Sequence, residues 1–310
     1  MFSVFLIVLP IFALIAVGWV ARVSGVLGPQ ASGELNRFVV WLALPALLFK
    51  IIAKACWAEI WQPDFIAVFS LGAGLIFLFT VVVQLRKPRH LADATVDGLN
   101  SSYANTGFIG FPLAATVIGP ASLAPTLTAT IITVCVLFAI ALILIEIGIQ
   151  AERHPGRILL KVIRTFGTNP LLIAPIVGGF FLAFSLPIPQ PLDKFLTLLS
   201  GAASPCALVA LGLFIAESRK KSSSEAGSVG FLVALKLFGQ PFVTWLLATK
   251  VFLLAPSLTA TAVLMASLPT GTGPFMIAEF YQREADITAR VVLASTVVSL
   301  LTITAYLSMS

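Results

Sequence analysis

Long apolar runs, each closed by a short polar link, alternate along the whole chain. They fall at 2–21, 35–53, 65–84, 98–118, 123–149, 169–186, 192–216, 230–254, 257–279 and 286–308. A helix needs about 20 mostly apolar residues to cross a bilayer, so this pattern predicts an all-α integral membrane protein with ten transmembrane helices. The links are too short to fold as domains of their own. Arg86-Lys87-Pro88-Arg89-His90 ends one run where proline and charge arrive together, and Ser218-Arg219-Lys220-Lys221-Ser222 has nothing to bury. The first run is closed by Arg22 and has neither a basic leader nor a small-residue cleavage site. It reads as a span that stays.

Composition sharpens this reading. Of 310 residues, 59% are hydrophobic and 10% charged, against roughly 25% charged in an average soluble domain. Water-soluble enzymes, disordered chains and nucleic-acid binders are excluded, because so few charges cannot cover a globular surface. The net charge of +6 then reports orientation. With ten spans and outward-facing termini, fourteen of the 19 basic residues fall in the inside links or the span ends beside them and four on the outside, with Lys236 deeper in a span. Basic loops resist translocation, so both termini are expected outside, on the periplasmic face of an inner membrane. Cys56, Cys135 and Cys206 form no CxxC pair, and neither a disulfide nor a metal site is expected.

An internal repeat is visible at an offset near 160 residues: Pro10 with Pro170, Pro45 with Pro205, Pro112 with Pro274. Five spans per half is an odd number, so the second half must enter the membrane from the opposite side, the inverted repeat of secondary transporters. The halves are 1–150 and 169–310, joined by a short basic link at 151–168.

Two spans are interrupted at corresponding places. Span four carries Asn105-Thr106-Gly107-Phe108-Ile109-Gly110-Phe111-Pro112 and span nine carries Leu268-Pro269-Thr270-Gly271-Thr272-Gly273-Pro274. Glycine adds backbone freedom, and proline removes an N–H and clashes with the preceding turn. Inside a membrane such breaks are tolerated where protein buries them or they line a wet cavity. Half-helices starting there offer unpaired N–H groups and a positive dipole end, suited to a carboxylate. The candidate substrate site is therefore Asn105, Thr106, Gly107, Gly110 and Pro112 with Thr270, Gly271, Thr272, Gly273 and Pro274. Ser204, beside Pro205 in span seven, is a further candidate for the path.

These two motifs, with Asn36-Arg37-Phe38 and Ala43-Leu44-Pro45-Ala46-Leu47-Leu48-Phe49 in span two, resemble the auxin efflux carrier family over nearly the whole chain. That family includes bacterial permeases for malonate or related dicarboxylates and the plant auxin exporters. The resemblance implies two inverted five-helix repeats divided into a scaffold and a transport part. It also implies spans four and nine crossing at the substrate site, with Asn105, Pro112 and Pro274 at the crossing. Elevator-type alternating access and a homodimer come with the same resemblance. The chain departs from the plant exporters in its short link at 151–168, so regulation through a long cytosolic loop is not implied.

Ionisable residues deep in a membrane are expensive and usually functional. Among the 13 acids, Glu146 and Glu279 fall within the apolar spans beyond their first two residues, each near a cytoplasmic end where it can snorkel. Lys236 lies six residues into span eight, about 9 Å deep at 1.5 Å per residue. Its stem can snorkel, or its charge can stand near an anion's path. These three are candidates for path or coupling. The broken segments hold no carboxylate pair, which disfavours carboxylate-based ion coupling. The leading reading is a secondary carrier for a small organic anion, with the lipid bilayer as its other partner and no nucleic acid, cofactor or metal. A passive channel or receptor on the same scaffold is the alternative. A membrane-embedded enzyme is weaker still: the two histidines, His90 and His154, lie in links, and no HExxH, GxSxG or Walker A sequence occurs.

Overall fold

A computed structural model of the chain describes residues 2–149, 169–217 and 226–309. The basic link expected at 151–168 and the Ser218–Ser222 loop lie outside the described residues. Among these residues every regular element is a helix. In chain order, apart from a single helical turn at Trp57–Ile60, they are α1 (Phe2–Val23), α2 (Ala31–Ala53), α3 (Pro63–Leu85), α4 (Leu91–Ser102), α5 (Thr106–Val117) and α6 (Pro120–Ile149). Then follow α7 (Pro170–Ala183), α8 (Gln190–Glu217), α9 (Gly227–Val251), α10 (Pro256–Ser267), α11 (Gly273–Phe280) and α12 (Ala285–Met309). Six of them, α2, α3, α6, α8, α9 and α12, are long and apolar enough to cross a membrane.

Three prolines inside these helices are handled in the same way. Pro45, Pro112 and Pro241 each lie two residues beyond a wide turn, at Val39–Ala43, Thr106–Gly110 and Leu235–Gly239. A proline ring collides with the carbonyl four residues earlier, here Trp41, Phe108 and Leu237. Each of those carbonyls sits in the widened turn, where i→i+5 spacing moves it clear.

The helices pack as two groups. In the first, α1 lies along the C-terminal half of α8, and α7 along the C-terminal half of α2. Both contacts run through glycine. A Cβ on Gly18 would stand 2.2 Å from the carbonyl oxygen of Val209, and one on Gly178 would stand 2.8 Å from that of Phe49. Backbones this close are the usual product of small residues at membrane helix interfaces. In the second group α3 packs on α4 and α9, α4 on α6, α9 on α10 and α12, and α10 on α6. The groups meet where α2 packs on α11, α8 on α12, and α1 on α5 and α12.

The outside of the molecule is apolar. Val26, Leu198, Leu253 and Leu301 are each at least 70% exposed, with Trp57, Phe195, Phe238 and Phe242 more than half exposed. In water such a surface is an aggregation hazard; facing lipid it is the expected exterior of an integral membrane protein.

The acids differ from the sequence expectation in one respect. Asp97 is fully buried on α4, which begins at Leu91, ahead of the apolar run. The polar first turns of α4 fall below any hydropathy threshold, yet they fold against α3 and α6 because the charge is neutralised. Arg89 pairs with Asp97 and, at 2.9 Å, with Glu284, while Gln84 Nε2 donates to Asp97 at 2.6 Å. Arg283 pairs with Asp93 at 3.2 Å. These links tie the near ends of α3, α4 and α12 together.

Candidate functional site

The two broken segments meet in the middle of the molecule. α4 stops at Ser102 and α5 starts at Thr106; α10 stops at Ser267 and α11 starts at Gly273. The extended residues between them run antiparallel and bridge at Ala104 and Thr270. The Asn105 N–H donates to the Pro269 carbonyl at 2.9 Å, and the Gly271 N–H donates to the Tyr103 carbonyl at 3.0 Å. Backbone groups freed by the breaks in one segment are thus satisfied by the other, which is what allows irregular backbone at membrane depth.

Side chains behind the crossing fasten it to the second helix group. Thr270 Oγ1 donates to the Asn100 carbonyl at 2.7 Å, and the Thr270 N–H donates to Ser295 Oγ at 3.1 Å. Asn100 Nδ2 donates to Thr288 Oγ1 at 2.9 Å. Gly271 and Gly273 are required by Tyr103: a Cβ at either position would come within 2.9 Å or less of its ring. That ring packs in turn on Phe138, with centroids 5.8 Å apart.

In front of the crossing lies a cavity of about 200 Å³, large enough for several waters at about 30 Å³ each or for a small organic solute. It opens between the two helix groups. From the crossing it is lined by Tyr103, Asn105, Gly107, Gly271, Thr272 and Gly273; Ala203 and Ala207 of α8 and Leu44 and Leu47 of α2 face them. No charged side chain is among the residues that line it. The polar character comes from Tyr103, Asn105, Thr130, Thr272 and the backbone. The first turns of α5 and α11 start at this cavity, and helix geometry leaves first-turn N–H groups without intrahelical acceptors.

The remaining candidates sit differently. Thr106 is fully buried with its hydroxyl unpartnered, and Thr270 is fully buried within the bonds just given. Gly110 packs against the other broken segment, where a Cβ would lie 3.0 Å from Met265 Sδ. Pro112 is exposed on the outer surface, whereas Pro274 is buried in α11. Ser204 is half-buried next to Ala203 and does not line the cavity. Glu146 accepts from the Tyr281 hydroxyl at 2.5 Å beside a second cavity of about 240 Å³, shared with Trp41 and Asn169. Glu279 is half-buried at the end of α11. Lys236 does not reach the surface: it is fully buried and donates to the Ala266 carbonyl at 2.8 Å. None of these three faces the crossing cavity. Thr130 and Met276, which do, escaped sequence reading; Thr130 belongs to the threonine-rich stretch Thr126–Thr133, whose only signal is composition. Among the described residues no group of three His, Cys, Asp or Glu side chains is placed to hold a metal ion.

Comparison with known proteins decides the family. The model of the family described as "Membrane transport protein" matches residues 3–307. The chain belongs to this family. It is 31% identical to the "Putative malonate transporter" of Rhizobium meliloti (strain 1021), across 97% of this chain and 94% of that protein. It is 26% identical to an "Uncharacterized transporter" of Methanothermobacter thermautotrophicus, covering 96% and 95%. It is 22% identical to "Auxin efflux carrier component 8" of Arabidopsis thaliana, covering 96% and 94%. The protein is therefore an integral membrane transporter of the auxin efflux carrier family. In this transporter the crossing cavity combines opened helix ends with side-chain polar groups at the boundary of two packing groups.

Proposed function

We propose that this transporter is a secondary carrier that moves a small organic anion, a dicarboxylate such as malonate or an auxin-like carboxylate, by elevator-type alternating access. The observation that carries this reading is the cavity at the antiparallel crossing, between two helix groups and lined by open helix N-termini, Asn105 and Thr272. Positive helix ends and unpaired N–H groups favour a carboxylate. The second group, with α3 to α6 and α9 to α12, moves as the transport part; the first, with α1, α2, α7 and α8, stays as scaffold.

The inverted repeat of ten spans is part of the same proposal. Its support is a pair of contacts: Gly18 meets Val209, and Gly178 meets Phe49. Moving both members of the first contact by the repeat offset, in opposite directions along the chain, gives the second. The names of the malonate and auxin relatives favour a carboxylate substrate. On this reading the basic links, including the one carrying Arg86, Lys87 and Arg89, lie inside and both termini outside.

Purified protein in liposomes tests the reading through uptake of malonate, malate, succinate and indole acetate. The expected result is saturable uptake of at least one carboxylate, accelerated by the same compound on the far side. Uptake without such acceleration would assign a channel. No carboxylate transport, with binding of a cation or neutral solute instead, would sink the organic-anion reading.

A further inference from the structure

Asp97 and Lys236 are the fully buried charged side chains among the described residues. Asp97 has Arg89. Lys236 pairs with no carboxylate among the described residues, although α4, α10 and α12 pack against its turn of α9. On α4, Asp93 and Asp97 are bound to Arg283 and Arg89; α10 carries no acid; on α12 Asp286 lies at the first turn. The partner of Lys236 is instead the carbonyl of Ala266, 2.8 Å away.

That carbonyl is in the last turn of α10, immediately before the crossing. The C-terminal end of a helix carries open carbonyls and the negative end of the dipole, both attractive to a cation. Half-helix C-terminal ends and unwound carbonyls are where coupled carriers hold Na⁺ or H⁺. Lys236 enters this place from a widened turn, Leu235–Gly239. Gln240 and Thr244 follow it on the same face at helical spacing. Both are fully buried, and Gln240 Oε1 and Nε2 and Thr244 Oγ1 have no hydrogen-bond partner. The face of α9 that begins at Lys236 is thus polar and supplies oxygen atoms beyond the one Lys236 uses.

We propose that the Lys236 ammonium is a tethered cation, filling behind the crossing the place that an exchangeable alkali ion takes in coupled carriers, so that transport requires no coupling alkali ion. The statement about transport rests on the carrier reading above; the statement about the cation does not.

The first test therefore uses no substrate. Protein in detergent is melted in NaCl, KCl and choline chloride at equal ionic strength. The wild type melts at one temperature in all three, and selective stabilisation by Na⁺ or K⁺ overturns the proposal. Lys236→Ala melts lower, and propylammonium, which replaces the lost side chain, raises its midpoint by roughly 2–4 °C, whereas 1-propanol does not. Equal recovery with propanol, or none with propylammonium, shows that charge is not what the site needs. If Lys236→Ala yields no folded protein, wild-type liposomes decide: carboxylate uptake is unchanged when choline replaces Na⁺ and K⁺, and uptake requiring either ion overturns the idea. A carrier reading that fails leaves no uptake in any salt, while the melting result stands by itself.

Discussion

The Asn105 N–H and the Pro269 carbonyl, 164 positions apart in the chain, are joined by a 2.9 Å hydrogen bond at the crossing of the two broken segments. With the reciprocal bond from Gly271 to Tyr103, it makes a two-residue patch of antiparallel pairing inside an otherwise helical protein. The bond uses only backbone atoms. The Asn105 side chain is left to the cavity, and structure and candidate chemistry separate at this one residue.

Asn105→Ala is accordingly expected to lose transport and keep its fold. Removing one hydrogen bond to a charged group costs about 1.5–3 kcal/mol, a fall of roughly 10- to 100-fold in uptake rate at low substrate. Melting and circular dichroism should match the wild type. Wild-type rates in this variant would move the site away from the crossing.

Thr270 and Thr272 are two residues apart and should behave in opposite ways. Thr270→Val removes the bond to the Asn100 carbonyl and strands a buried acceptor, costing about 1–3 kcal/mol of stability. Thr272 lines the cavity, so Thr272→Val leaves the melting midpoint in place and raises KM by about tenfold, the effect of one lost polar contact. Melting curves set beside concentration-dependent uptake distinguish the two.

Neighbouring glycines on α7 give a sharper contrast. A Cβ at Gly178 collides with the Phe49 carbonyl, and a Cβ at Gly179 meets nothing within 4 Å. Gly178→Ala must push α7 off α2 and should cost about 1–3 kcal/mol; Gly179→Ala should stay within about 0.5 kcal/mol. Denaturation in detergent or bicelles reads the difference.

If the two helix groups move past each other, a tether between them stops the cycle and a tether within one does not. Asn36 Nδ2 on α2 donates to the Met276 carbonyl on α11 at 3.2 Å, across the boundary. Arg22 of α1 and Glu217 of α8 pair at 2.7 Å within the first group. In a background lacking Cys56, Cys135 and Cys206, a short bifunctional thiol cross-linker on Asn36→Cys with Met276→Cys should halt uptake until reduced. The same reagent on Arg22→Cys with Glu217→Cys should leave it running. Continued uptake by the first cross-linked pair would argue for a fixed pathway.

Much of this architecture is legible in the chain because the membrane imposes simple rules. Apolar length marks the spans, and the Gly-Pro breaks at 105–112 and 269–274 mark the segments that cross. What the sequence does not carry is the direction in which a side chain turns. Thr270 and Thr272 look equivalent in a list of motif residues, yet one fastens the crossing and the other faces the cavity. Pro112 and Pro274 occupy matching places in their motifs, yet one is exposed and the other buried. Asp97 is invisible to hydropathy because its burial depends on Arg89, eight positions earlier, and on Glu284 from the far end of the chain. Lys236 looks able to reach the surface because depth along a helix says nothing about what surrounds it.

A cavity lined without charge has an electrical consequence for the proposed carrier. No fixed cation in the lining travels out with the substrate and back without it. Lys236 belongs to the moving group, so its charge crosses on the loaded stroke and returns on the empty one, cancelling over a cycle. The net charge transferred is then the anion's own, and each elementary charge is worth about 2.3 kcal/mol per 100 mV. An inside-negative membrane would drive a dianion outward with twice the force it applies to a monoanion. The anion's own concentration gradient and the voltage, weighted by its protonation state, would then set the direction of flow, with no second ion gradient involved.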